Sequence, residues 1–207
     1  MTKNVKTNIV IIFNTKSSHI YMMKNKLVLA ISGSSGSVYA KQIIESLIPF
    51  KEEVLTSIVM TDNAVVNWEL ENGTWDESTI PFKLYDNKDF MAPFASGSAE
   101  YGAMIICPCS MGMLGRIANG ISNDLMTRAA DVMLKENRKL VLIPRETPLN
   151  LIHLRNMVRL TEAGAIMCPA IPSFYSKPTS IDEVVRTVTD RALKLVGVDV
   201  GGYQWGS

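Results

Sequence analysis

Four apolar runs set the frame of this chain: Lys26-Leu27-Val28-Leu29-Ala30-Ile31-Ser32, Val54 to Met60, Ala103 to Cys107 and Lys139 to Ile143. Short, nearly continuous Val/Ile/Leu runs are what strands of a parallel sheet need when helices cover both faces. Between the runs lie segments of helical periodicity: Val38 to Leu47, about Thr61 to Glu71, Met111 to Ala118, Leu125 to Glu136 and Leu149 to Glu162. A last short strand is predicted at Ala165 to Cys168. An amphipathic helix follows over Ser180 to Val196, capped by Ser180 with Glu183 three residues on. Asn72-Gly73-Thr74 and Gly120 punctuate the pattern, and residues 73–100, with Pro81, Pro93, Gly97 and several Ser, read as a long functional loop.

Strands alternating with helices imply an α/β fold, here a Rossmann-like/flavodoxin-like three-layer sandwich with a mostly parallel sheet. A length of 207 residues suits one domain with a full core. That domain is expected over residues 25–197, with an N-terminal extension outside the core fold at 1–24 and a C-terminal tail at 198–207. Ile9 to Phe13 is apolar but far short of a membrane span. A net charge of +1, with Lys and Arg scattered, gives no basic face for nucleic acid. The 3 cysteines are an odd count without a convincing secretory signal, which fits reduced thiols in the cytoplasm. Cys107 and Cys109 lack zinc-knuckle spacing and only His19 and His153 are available, so no metal is expected. His153 reads as a satisfied helix histidine.

Three strand-to-helix corners carry the candidate chemistry. Gly33-Ser34-Ser35-Gly36 combines glycines that allow close backbone approach with amides and hydroxyls at a helix start, which favour an anion. The same composition also serves plain packing. It is neither GxGxxG nor a P-loop, which removes the nicotinamide and nucleotide-triphosphatase fingerprints. At the second corner, Pro108 ends a strand and Ser110 can cap the helix of Met111-Gly112-Met113. At the third, Leu140-Val141-Leu142-Ile143 ends in Pro144-Arg145-Glu146, setting an anion clamp beside a proton-transfer carboxylate. Arg128 and Lys135, seven apart, share one helix face, the usual place of solvated charges.

Taken together, these corners resemble the UbiX-type flavin prenyltransferases over roughly residues 25–197, joined by Ile117-Ala118-Asn119-Gly120-Ile121, Thr127-Arg128-Ala129-Ala130-Asp131, Pro172-Ser173-Phe174-Tyr175 and Asp190-Arg191-Ala192-Leu193. The resemblance implies transfer of a dimethylallyl group from dimethylallyl monophosphate to N5 and C6 of reduced flavin mononucleotide (FMN). The prenylated FMN would pass to a UbiD-type decarboxylase. It assigns flavin contacts to Gly33, Ser34, Ser35, Thr61, Ser110, Met111, Gly112, Met113 and Arg145. Donor contacts fall to Arg128, Lys135, Arg145, Tyr175, Arg191 and Phe90, the last standing where some members carry Trp. Catalytic roles fall to Ser35, Glu146 oriented by Ser35, Lys135 and Glu71, with Glu69 the alternative alignment for Glu71. It further implies a homo-oligomer, a dodecamer with sites at subunit interfaces. The alternatives are an FMN-dependent cysteine-type decarboxylase, disfavoured because no His lies between Tyr21 and Glu146, and a non-catalytic flavin-binding subunit.

Overall fold

A computed structural model describes residues 25–204 and residue 206. The expected extension over 1–24, including Ile9 to Phe13, lies outside the described residues. The strands are β1 (Asn25–Ile31), β2 (Val54–Met60), β3 (Lys83–Asp86), β4 (Ala103–Cys109), β5 (Lys139–Pro144) and β6 (Ile166–Met167). All pairings are parallel, in the order β3-β2-β1-β4-β5-β6. That is the doubly wound Rossmann order; without the edge strand β3 it becomes the flavodoxin order. The helices are α1 (Ser37–Leu47), α2 (Asp62–Asn72), α3 (Met111–Ala118), α4 (Leu125–Lys135), α5 (Leu151–Glu162) and α6 (Ile181–Leu195).

Strict alternation along each central strand divides the core in two. Leu27, Leu29 and Ile31 of β1, with Ile105 and Cys107 of β4 and Val141 and Ile143 of β5, pack under α1, α2 and α6. Val28, Ala30, Met104, Ile106, Leu140 and Leu142 face α3, α4 and α5 instead. A strand buried on both sides has no polar phase, which is why these runs look continuous in sequence. Ser180 caps α6 by accepting from the Glu183 amide at 3.2 Å, while the Glu183 carboxylate accepts from Thr179 N–H at 2.6 Å. α5 starts two residues later than the periodicity suggests, at Leu151, because Asn150 and His153 exchange capping bonds there. His153 is thus satisfied at a helix start, as expected.

The segment after α2 departs most from the sequence reading. It contains β3, a four-residue strand with one neighbour and no fully buried residue, too short and too exposed to leave an apolar run. Beyond it, residues 87–102 are not a loose loop but a strap fixed to the α3/α4/α5 side of the sheet. Phe94 is fully buried, edge-on to Tyr85 at 5.0 Å and to Tyr101 at 5.5 Å. The Tyr101 hydroxyl meets Ser57 Oγ at 2.8 Å, and Arg138 donates to the carbonyls of Gly97 and Tyr101. Removing the Phe94 ring leaves a cavity under the strap. Phe94→Ala is therefore expected to cost about 3–5 kcal/mol, read as a lowered urea midpoint; a loss under about 1 kcal/mol would show that the strap is not held by its core.

Candidate active site

β1 and β4 are neighbours at the centre of the sheet, and from them the chain winds outward in opposite directions. In open α/β sheets the crevice beyond the carboxyl ends of such a pair is the ligand site. Here Ser32 ties its two lips together. Its hydroxyl donates to Pro108 O at 2.8 Å and accepts from Ser110 N–H at 2.8 Å, with its own amide also bonded to Pro108 O. This buried residue was not singled out from sequence; a lone Ser ending a strand gives no signal of a partner 76 residues away.

The first corner is shaped by what α2 brings to it. A β carbon on Gly33 would collide with the Asn63 side chain at the start of α2, so glycine is required by close approach. Gly36 has φ 109°, the left-handed region, and ends the turn into α1. Its amide donates to both Glu71 carboxylate oxygens at 2.9 and 3.0 Å, and the Ser37 hydroxyl donates to Glu71 Oε2 at 2.7 Å. Ala64, Trp68 and Glu71 follow one another at spacings of four and three, so they share one side of α2. Trp68 is buried and stacks edge-on with Trp75 at 4.8 Å. That anchors the phase of α2, turning Glu71 to the loop and leaving Glu69 exposed.

This arrangement changes two expectations. The anion held by the start of α1 is the chain's own Glu71. Ser35 also hydrogen-bonds Glu71, where the resemblance would have it orient Glu146. Burial pushes the Glu71 carboxyl up, but hydrogen bonds from the Ser35 and Ser37 hydroxyls and the Gly36 and Ser37 amides outweigh it and hold it below its ordinary 4.5. Ser34 Oγ, next in the loop, is buried without a hydrogen-bond partner. Thr61 caps α2 by accepting from Ala64 N–H, and Ser110 caps α3 by accepting from Met113 N–H, both at 3.2 Å. Ser110 leaves the Met111 and Gly112 amides of that first turn available to a ligand. An orphaned hydroxyl, a glycine-lined crevice and these amides fit the polar edge of a flavin.

Arg145 arrives from β5, its amide bonded to Cys109 O, and its stem lies 3.6 Å from where a Gly36 β carbon would stand. Tyr39 of α1 presses on the same Gly36. Burial and Cys107 push the Tyr39 hydroxyl above its ordinary range, while Arg145 pulls it down. Tyr39 is a second residue the sequence reading left without a role. Glu146 is exposed, its Oε1 accepting from Thr147 N–H at 3.0 Å. Next to β5, Cys168 and Ala170 donate amides to Leu142 O and Pro144 O. Burial pushes the Cys168 thiol up, and the charge of Arg191, reaching from α6, lowers it. Arg191 thus comes within electrostatic reach of the strand that delivers Arg145. Tyr175 is exposed in the loop between β6 and α6.

The other cations lie elsewhere. Arg128 Nε donates to Ala95 O on the strap at 3.0 Å and pairs with Asp131. Lys135 ends α4 beside Glu136, which abuts Gly97. Crossover helices run antiparallel to their strands, so an 11-residue α4 carries Lys135 back to the amino edge of the sheet, where Lys139 N–H bonds Gly102 O. Phe90 is half exposed on the strap. One chain gathers Ser35, Glu71, Arg145 and Glu146 at one edge, with Lys135 at the opposite one.

Fold and crevice together define a flavin-type α/β protein, and the sequence pattern of the family described as Flavoprotein matches residues 15–193. The chain is 38% identical over 185 residues to the flavin prenyltransferase UbiX of Methanocaldococcus jannaschii, covering 88% of this chain and 99% of that one. Among solved structures, AnUbiX (PadA1) in complex with FMN and dimethylallyl pyrophosphate superposes with TM-score 0.83 at 36% identity, covering 89% of this chain and 98% of that one. A dodecameric FMN-dependent Ubix-like decarboxylase from Escherichia coli O157:H7 follows at TM-score 0.81 and 36% identity, covering 88% and 100%. The chain belongs to the UbiX-type flavin prenyltransferases of the flavoprotein family.

A depressed carboxyl stabilises the fold above its unfolded value and loses that contribution as pH falls through the folded value. Glu71 should therefore add stability at neutral pH that fades below about its ordinary 4.5. Comparing melting temperatures of the wild type and Glu71→Gln from pH 7 to pH 3 should show a gap that closes on acidification. A gap that widened instead would mean the carboxyl is held protonated.

Proposed function

We propose that this chain transfers a dimethylallyl group from a dimethylallyl phosphate ester, the monophosphate in the family pattern, to N5 and C6 of reduced FMN. The product is a prenylated FMN for a UbiD-type decarboxylase. What carries the reading is one convergence: Gly36, Glu71 and the Arg145-Glu146 pair meet beyond the β1/β4 switch point in a chain of this family. Reduced FMN, when bound, supplies the nucleophilic N5 and C6.

The chain's own residues would do the following. Gly33, Ser34 and Ser110 through Met113 seat the flavin in the crevice. Arg145 and Arg191, with the Tyr175 hydroxyl, stabilise the negative charge that grows on the phosphate as its C–O bond breaks and the electron pair leaves with it. Glu146 takes the proton displaced when the second bond forms at C6 and passes it to the released phosphate. Ser35 and Glu71 act as one unit that fixes the loop under the flavin.

Two features support a site completed by a second subunit. Lys135 stands away from the Arg145 edge of its own chain, so it would reach a phosphate only by serving a neighbour's. Further, α5 exposes Leu151, Ile152, Leu154 and Val158, a stripe too apolar to be left in water. A closed homo-oligomer, with the dodecameric relative as precedent, answers both. Among the described residues no helix is long and apolar enough to cross a membrane. The cytoplasm is the proposed location, in keeping with the free Cys107, Cys109 and Cys168.

Anaerobic incubation with reduced FMN and dimethylallyl monophosphate should yield a flavin heavier by one C5H8 unit. Glu146→Gln should slow its appearance by about 100- to 10,000-fold; unmodified flavin with both the mono- and the diphosphate donor would overturn the reading. Independently, Ile152→Asp with Val158→Asp should shift light scattering from a large assembly to small species and abolish turnover. An unchanged mass would remove α5 from the subunit contact.

A further inference from the structure

The proposed site leans most on Arg145, yet among the described residues its guanidinium makes no salt bridge. A long arginine arm has rotamer freedom to lose when it grips a ligand. Its grip is therefore firmer where a neighbour already restrains the stem. The backbone of Arg145 is fixed against β4, its amide donating to Cys109 O at 3.4 Å. From there the stem runs to Gly36, with Cγ 3.6 Å from where a β carbon would stand. The Tyr39 ring comes to the same point, 3.3 Å away at Cδ2 and 3.6 Å at Cε2. A methyl group there would touch both, so ring and stem border one narrow space that the missing side chain of Gly36 leaves.

The ring is itself well held. Tyr39 stands in the first turn of α1, its amide donating to Gly36 O at 3.0 Å, and its half-buried body packs on the core beneath α1. Gly36 is fixed in turn by the Glu71 carboxylate. Burial and Cys107 hold the Tyr39 hydroxyl above its ordinary range, against the pull of Arg145. The group beside the cation is thus neutral at neutral pH. A carboxylate in its place would restrain the arm by pairing with it and occupying its donors. A neutral ring restrains the arm and leaves its charge whole for an anion.

We propose that Tyr39 is a positioning residue for Arg145: an uncharged aromatic wall, raised from α1, that keeps the arginine arm in the crevice beyond β1 and β4. This inference rests on the proposed transferase reading for the part Arg145 plays in turnover, but not for the coupling between the two residues.

A double-mutant cycle with Arg145→Gln separates positioning from plain packing. Tyr39→Leu removes the wall, and because Arg145 acts on charge that grows in the transition state, kcat for prenyl transfer should fall about tenfold while the donor KM changes by less than about threefold. Tyr39→Phe keeps the wall and should recover most of that loss. On the Arg145→Gln background, Tyr39→Leu should cost no more than about a further twofold. The cycle can also be read without turnover, as FMN dissociation constants from flavin fluorescence. There Tyr39→Leu should weaken binding several-fold with Arg145 present and leave it nearly unchanged with Arg145→Gln. Tyr39→Met is a second variant without the ring, to be used if the leucine variant melts early. Losses of equal size with and without Arg145, a phenylalanine variant as poor as the leucine one, or a leucine variant with full kcat and FMN affinity each overturn the proposal. If even the wild type leaves the flavin unmodified, the transferase reading fails, while the FMN cycle still decides whether Tyr39 acts through Arg145.

Discussion

A single buried hydroxyl bridges the two halves of this fold just beyond the β1/β4 ladder, where their connections part. Ser32 follows β1, and its hydroxyl both donates to Pro108 O and accepts from Ser110 N–H. The switch point is the one place in a doubly wound sheet where two neighbouring strands send their connections apart, leaving backbone groups with no helix between them. An unsatisfied buried amide or carbonyl costs about 1–3 kcal/mol, so an open crevice at this spot needs its own means of satisfaction. Ser32 provides it without filling the space. Because it does so, the loops at Gly33 and Ser110 stand at a fixed separation, and whatever binds between them meets a preformed edge.

The second constraint follows from the first. With the crevice fixed, the start of α1 becomes an attractive position for any anion, and Glu71 takes it. The Gly36 and Ser37 amides and the Ser35 and Ser37 hydroxyls at this corner are committed to a carboxylate of the same chain, while the Ser34 hydroxyl is left over. Phosphate recognition is thereby displaced onto side-chain cations. In the proposed site Arg145 and Arg191 would reach it, Arg145 following β5 and Arg191 carried by α6. Charge on flexible arms suits a leaving group better than a rigid amide nest, since the ester must be gripped while its charge grows and then released.

Much of this was legible in the residues, and the failures have physical causes. Strands buried on both faces announce themselves as apolar runs, and β1, β2, β4 and β5 were readable for that reason. β3 was not, because an edge strand with one neighbour needs no such run. Residues 73–100 read as a loop from their Pro, Gly and Ser; the order of the strap over 87–102 comes from Phe94, Tyr101 and Arg138, contacts that span distant parts of the chain. At the first corner, the burial of Trp68 turns Glu71 rather than Glu69 to the loop, a phase that the alignment of Glu residues alone left open. Ser32 and Tyr39 escaped notice because their partners lie on other elements. Sequence spacing records neighbours along a helix, and neither residue has its partner there.

Direction explains why one chain does not assemble the whole cationic set. In a parallel sheet every crossover helix returns toward the amino edge, so residues at a helix carboxyl end and residues at a strand carboxyl end are separated by the height of the sheet. Lys135 and Arg145 sit at such opposite ends, with the whole of β5 between them. The proposed joint action on one phosphate therefore needs a second copy, and the exposed apolar stripe of α5 is a surface that could receive one. An allylic cation is consumed by water, and subunit contact excludes water as it supplies charge. On that proposal the same act that completes the site also dries it, which would make assembly part of the chemistry and not merely a means of stabilising the fold.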